Sequence, residues 1–149
     1  MTRNIEESQM PYREKTAWLS LIAMAVTLIP YFTLIALDPP KGTAHDFRWL
    51  ALYAVAVIVQ LAILGGGRLW LRLQSPDEAK APLDERDNAI HRSSLSAAYN
   101  ILIAGMIAVG CLMPFGSPAP MICVSAIFVI VVAEVVHHSL IVVGYRRQA

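Results

Sequence analysis

The chain has 149 residues, 56% of them hydrophobic and 15% charged, with a formal net charge of +1 and a mean hydropathy of +0.54. Soluble domains carry about 25% charged residues, and a protein that holds nucleic acid by charge has a basic excess. This composition fits neither, so a nucleic-acid partner is not expected.

The charges leave three gaps. Residues 16–37, 49–67 and 93–133 contain no Asp, Glu, Lys or Arg. About 20 apolar residues span the roughly 30 Å hydrocarbon core of a bilayer. The third gap is long enough for two spans, turned at residues 114–120 by Pro114, Gly116, Pro118 and Pro120. In a bilayer, segments this long and apolar are helices, because a helix satisfies its own backbone polar groups. The predicted fold is therefore all-α, a bundle of four transmembrane helices in two hairpins.

In chain order, a polar N-terminal arm covers residues 1–15. A four-helix transmembrane domain follows over 16–149, with helices predicted at 16–37, 49–71, 95–113 and 121–144 and a loop at 72–94. Within that loop, residues 74–83 contain Ser75-Pro76 and Ala81-Pro82 and read as a linker. Trp18, Trp49 and Trp70 fall at span ends, where an aromatic belt belongs. Arg3, Arg13, Lys15, Arg68, Arg72, Lys80, Arg86, Arg92, Arg146 and Arg147 lie on one side of the predicted topology; Lys41 and Arg48 are the only Lys or Arg on the other. The positive-inside rule then puts both termini and the 72–94 loop in the cytoplasm of a plasma (inner) membrane protein.

Two cysteines without a CxxC spacing suit neither a disulfide framework nor a metal site. Cys111 and Cys123 are equidistant from Ser117 and should lie at one depth; packing as small apolar groups and bonding to each other both remain open.

After the linker comes Asp84-Glu85-Arg86-Asp87, with Ile90 three residues on. Asp84 is a candidate N-cap, and Glu85 and Asp87 suit the positive end of a helix, so the third helix is expected to begin near residue 84 and run unbroken into its span. The segment can serve capping and interfacial anchoring, or docking of a cytosolic protein, a membrane protein or a second copy of the chain. Together with Tyr145-Arg146-Arg147 at the end of the fourth helix, it resembles a group of uncharacterised bacterial and archaeal four-helix small membrane proteins. That resemblance implies a four-helix membrane protein often thought of beside regulators. It supplies no catalytic residues.

Ionisable groups at the bilayer centre cost roughly 2.5–3.5 kcal/mol on insertion scales and usually face the bundle interior. Glu134 is the only carboxylate in the four predicted spans. It sits about 20 Å along the fourth helix at 1.5 Å per residue, near the midplane. Folding the second hairpin about Ser117 sets Asn100 level with it, and folding the first about Thr43 sets Thr27 near Gln60. The expected intramembrane polar layer is Thr27, Gln60, Asn100 and Glu134, with Glu134 turned inward to Asn100 and Gln60. His137 and His138 lie at i+3 and i+4 from the carboxylate.

The layer reads as interhelical hydrogen bonding around a neutral Glu134, or as a proton- or cation-linked switch. Glu-x-x-His holds metal in bundles when a second copy faces it. Here there is no second copy, and His91 and His45 lie too far from mid-span to face a haem, so neither metal nor cofactor is expected. Without a nucleophile constellation or an assembled acid–base pair, the chain reads as a non-enzymatic regulatory or interaction protein. A small proton- or cation-linked transporter using Glu134 is the alternative.

The charge distribution predicts that reporter fusions after Gln74 and Ala149 register inside the cell and fusions after Gly42 and Ser117 outside. A reversed pattern would contradict the positive-inside argument.

Overall fold

The computed structural model describes residues 12–40, 47–74, 76 and 84–147. The described residues form four long helices: α1 (Tyr12–Leu37), α2 (Arg48–Gln74), α3 (Glu85–Leu112) and α4 (Ala119–Arg146). No strand occurs among the described residues. Each helix is long and apolar enough to cross a membrane. Large apolar side chains such as Ile29, Ile58, Ile107 and Phe128 face outward on all four, a surface suited to hydrocarbon rather than water.

A helix of 28 residues, the length of α3 and of α4, is about 42 Å long, some 10 Å more than the hydrocarbon core. Much of the surplus lies at the end of the bundle that holds the start of α1, the end of α2, the start of α3 and the end of α4. Arg13, Arg68, Arg72, Arg86, Arg92 and Arg146 all belong to this basic end. There α1 starts at Tyr12, inside the arm expected over 1–15, and α3 starts ten residues before the expected span. Residues 1–11, 41–46 and 77–83, which include most of the expected arm and linker, lie outside the described residues.

Local chemistry sets the helix ends. Asp84 is extended (φ −72°, ψ 160°) and its side chain accepts a hydrogen bond from the Glu85 backbone N–H at 2.7 Å, capping α3. The α3–α4 turn is a single 3₁₀ turn, Met113–Phe115, closed by Gly116 and Ser117 N–H groups donating to the Met113 carbonyl. Pro118 then enters α4 in the extended conformation. Cys111 and Cys123 flank this turn, both exposed and not disulfide-bonded.

The lateral order is α2–α1–α4–α3, since α1 packs on α2 and α4, and α3 packs on α4. Nine buried residues lie on α1 against two on α2 and four each on α3 and α4, so α1 is the central helix. Its Met24, Leu28, Tyr31 and Ile35 pack with Ala56 of α2 and Val124 of α4, at the i, i+4, i+7 spacing of one helix face. Ring contacts continue this core: Tyr31 lies 5.5 Å from Tyr53, and Phe32 lies 5.2 Å from Phe128.

Two glycines bring α3 and α4 close. A Cβ on Gly105 would collide with the Val129 methyls, and one on Gly144 would lie 2.7 Å from Ile90 Cγ2. Between apolar helices in lipid, such small residues let side chains of one helix reach the backbone of the other. Both pairs are equidistant from Ser117, so the hairpin folds symmetrically about that residue.

Gly105→Ala is expected to destabilise the protein by about 1–3 kcal/mol, because β-branched Val129 has no easy rotamer in which to escape. Gly110, on the same helix with no atom near its missing Cβ, is the control, and Gly110→Ala should be neutral or stabilising by up to about 1 kcal/mol. Equal tolerance in detergent unfolding curves would contradict the close approach.

Candidate functional site

At the basic end, charged groups from three helices are joined. The Asp87 carboxylate on α3 is held from two sides. Arg13 of α1 lies 3.3 Å from Oδ2, and the Tyr145 hydroxyl of α4 donates to Oδ1 at 2.5 Å. Such short O–H···O⁻ bonds are among the stronger hydrogen bonds in proteins. Arg86 reaches the Tyr145 carbonyl through a long contact of 3.5 Å. One turn further on, Ile90 fills the notch at Gly144. The Asp84–Ile90 segment and the Tyr145-Arg146 pair therefore interlock.

A second ion pair ties the termini of the described chain. Glu14 is only 6% exposed, a burial that a carboxylate tolerates when it is paired. Its Oε1 accepts from Arg146 Nε at 3.1 Å, and the same guanidinium lies 5.5 Å from the Trp18 ring centroid, within cation–π range. Reading the sequence as a polar arm missed Glu14. The signal was present: the α1 core spacing of Ala17, Met24, Leu28 and Tyr31, extended backward, puts residue 14 on the buried face.

Below this clasp lies a cavity of about 400 Å³ to which all four helices contribute. Its lining includes Arg13, Thr16 and Ser20 from α1, Arg68 from α2, Asp87 and His91 from α3, and His137, His138 and Tyr145 from α4. Thr16 and Ser20 donate their hydroxyl protons to carbonyls of α1. The His91 and His137 rings are 5.3 Å apart, and those of His137 and His138 are 5.2 Å apart. Nδ1 of His137 and of His138 are buried without a hydrogen-bond partner among the described residues. No three His, Cys, Asp or Glu among the described residues converge as a metal site would require. Depth arithmetic set His91 apart from the α4 histidines; the structure brings them together by a diagonal contact across the α3–α4 hairpin.

The mid-span polar residues are divided. Thr27 Oγ1 lies 2.8 Å from the Ala23 carbonyl and 3.3 Å from Gln60 Oε1. Its single proton serves the nearer carbonyl, so Gln60 complements it best with the amide NH₂ turned to the hydroxyl. Gln60 and Glu134 line one cleft of about 210 Å³ with Tyr53. The Glu134 side chain is 52% exposed, and its Oε2 lies 3.7 Å from His138 Nε2. Asn100 is exposed on α3 and does not line that cleft. The expected inward pairing of Glu134 with Asn100 is absent. With α3 outside α4 in the packing order, a layer shared by all four helices does not close.

Comparison with family models, curated proteins and solved structures finds no match for this chain.

Removing the phenolic hydroxyl by Tyr145→Phe should destabilise the protein by about 1–3 kcal/mol, the usual worth of a hydrogen bond to a charged group. In an Asp87→Asn background the same change should have much less effect, because the two side chains act as one unit. Additive losses in a double-mutant cycle would contradict the Asp87–Tyr145 coupling.

Proposed function

We propose that the chain is a multi-pass protein of the plasma membrane, with both termini cytoplasmic, that works by binding rather than by catalysis and has a regulatory role. The resemblance to small four-helix membrane proteins agrees with this reading, as does the concentration of Lys and Arg at the basic end. The observation that carries it is the placement of Asp87. Its side of α3 is committed to α1 and α4, while Glu85, Asn88, Ala89 and Arg92 form an exposed stripe at i, i+3, i+4 and i+7. A partner that engages this stripe acts on a helix whose other face is fastened to two neighbours. Binding there biases the packing of the bundle through the clasp. The partner is a cytosolic protein, another membrane protein or a second copy of the chain, and the lipid bilayer is the surround.

A specific observation also favours transport of a proton or cation. Glu134 and Gln60 share a cleft, and the Glu134–His138 contact leads from it toward the cavity at the basic end. Chains of Glu and His are the usual elements of proton relays in membranes.

Photo-crosslinkers at Asn88 and Arg92 in living cells test the leading reading, with Leu73 of α2, also exposed at the basic end, as control. A discrete adduct from positions 88 and 92 but not from 73 is the expected result. No adduct, or the same adducts from all three, would contradict it. Liposomes holding the purified protein test the second reading. Proton or cation flux abolished by Glu134→Gln in a folded protein would make transport the function instead.

A further inference from the structure

We propose that the cavity at the basic end is a binding site for a phosphate group, with Arg68 as its principal charged contact. The proposal stands on the donor and acceptor balance of the lining. The cavity, of about 400 Å³, has the size of a small-ligand site. Two guanidinium groups, Arg13 and Arg68, face one carboxylate, Asp87, which leaves the lining with one guanidinium more than it has carboxylates. Asp87 is already occupied, by Arg13 on one oxygen and by the Tyr145 hydroxyl on the other. It therefore neutralises Arg13 and leaves Arg68, which has no ion pair among the described residues.

Around Arg68 stand His91, His137 and His138, of which the last two hold buried Nδ1 atoms with no partner among the described residues. A neutral imidazole carries one N–H, at either nitrogen. His138 turns its Nε2 to the Glu134 carboxylate at 3.7 Å, so the buried Nδ1 of His137 and the His91 ring are the imidazole donors for the cavity. A tetrahedral oxyanion accepts from several such donors at once and supplies the missing charge. A planar guanidinium also matches two phosphate oxygens in a bidentate contact. The cavity is larger than a bare phosphate requires, leaving room for the alcohol portion of a phosphate ester. Basic pockets between transmembrane helices at this level are suited to lipid head groups. A metal ion is the poorer occupant, since no three ligating side chains converge among the described residues.

The phosphate has two possible sources, an anionic lipid head group or a soluble phosphate compound. The inference deepens the binding reading above, and rests on it only for the side from which the ligand arrives. The full chain, purified in an uncharged detergent, is titrated calorimetrically with inorganic phosphate. In parallel, it is released from nanodiscs of mixed phosphatidylglycerol and phosphatidylcholine, and the retained lipid is read by native mass spectrometry.

The expected result is saturable binding of one phosphate, weakened about tenfold or more by Arg68→Gln and measurably by His91→Gln. Arg72→Gln, on the same helix but outside the cavity, should leave it unchanged. Retention of phosphatidylglycerol over phosphatidylcholine, lost in Arg68→Gln, assigns the site to a head group; phosphate binding without that preference assigns it to a soluble compound. Thermal unfolding at the wild-type temperature verifies that each variant is folded, and His91→Gln carries the test if Arg68→Gln is not. Absence of both saturable phosphate binding and lipid preference would overturn the proposal, as would equal weakening by Arg68→Gln and Arg72→Gln. Binding in detergent is independent of membrane orientation and of any protein partner. Failure of the crosslinking experiment thus leaves this result standing, and the reverse also holds.

Discussion

A carboxylate withdrawn from water at the end of a long apolar helix has to be met by a cation or hydrogen-bond donors from elsewhere, and that requirement organises the basic end of this protein. Glu14 is buried on α1 and takes its cation from the last turn of α4. Asp87 begins α3 and takes Arg13 from α1 and the Tyr145 hydroxyl from α4. The donors lie far away in sequence, so each contact pins two helix ends. In a bundle whose sides are apolar all round, these are the directional interactions that distinguish one helix arrangement from another.

Away from that end, packing is governed by shape. α1 contributes the long buried face, while Gly105 and Gly144 set how near α3 comes to α4. Ile90 belongs to both regimes, being the apolar knob at Gly144 and the residue one turn beyond Asp87. The segment 84–90 thus caps a helix, pairs a charge and fills a notch within two turns. The cavity below lies under the joined ends of α1, α3 and α4, with Arg68 of α2 on its wall.

Much of this was legible in the residues, and the parts that were not share a cause. Hydropathy and charge gaps give four helices because a bilayer-length apolar run leaves the backbone no alternative. Reflection about a hairpin centre gives depth: Ile90 and Gly144, and Gly105 and Val129, are symmetric about Ser117, and Thr27 meets Gln60 as folding about Thr43 requires. Depth does not give azimuth. Asn100 is level with Glu134 along the hairpin, yet it is exposed on α3 while Glu134 lines a cleft with Gln60 and Tyr53 of α2. Helices that are apolar on every face carry no stripe that names their neighbours, so the lateral order could not be read. Equal-depth reasoning also hid the diagonal reach of His91 to His137. Glu14 was missed because a charge was taken to end the helix, when the core spacing ran on through it.

The central claim is that paired charges at the basic end hold α1 against the α3–α4 hairpin. Pulsed dipolar spectroscopy tests it most directly, with spin labels on Lys15 of α1 and Arg92 of α3 in a chain whose Cys111 and Cys123 are replaced by serine. A single narrow distance is expected in the otherwise native protein. It should broaden when Glu14→Gln and Asp87→Asn are introduced together and the helical content is retained. A distribution unchanged by those two substitutions would contradict the account.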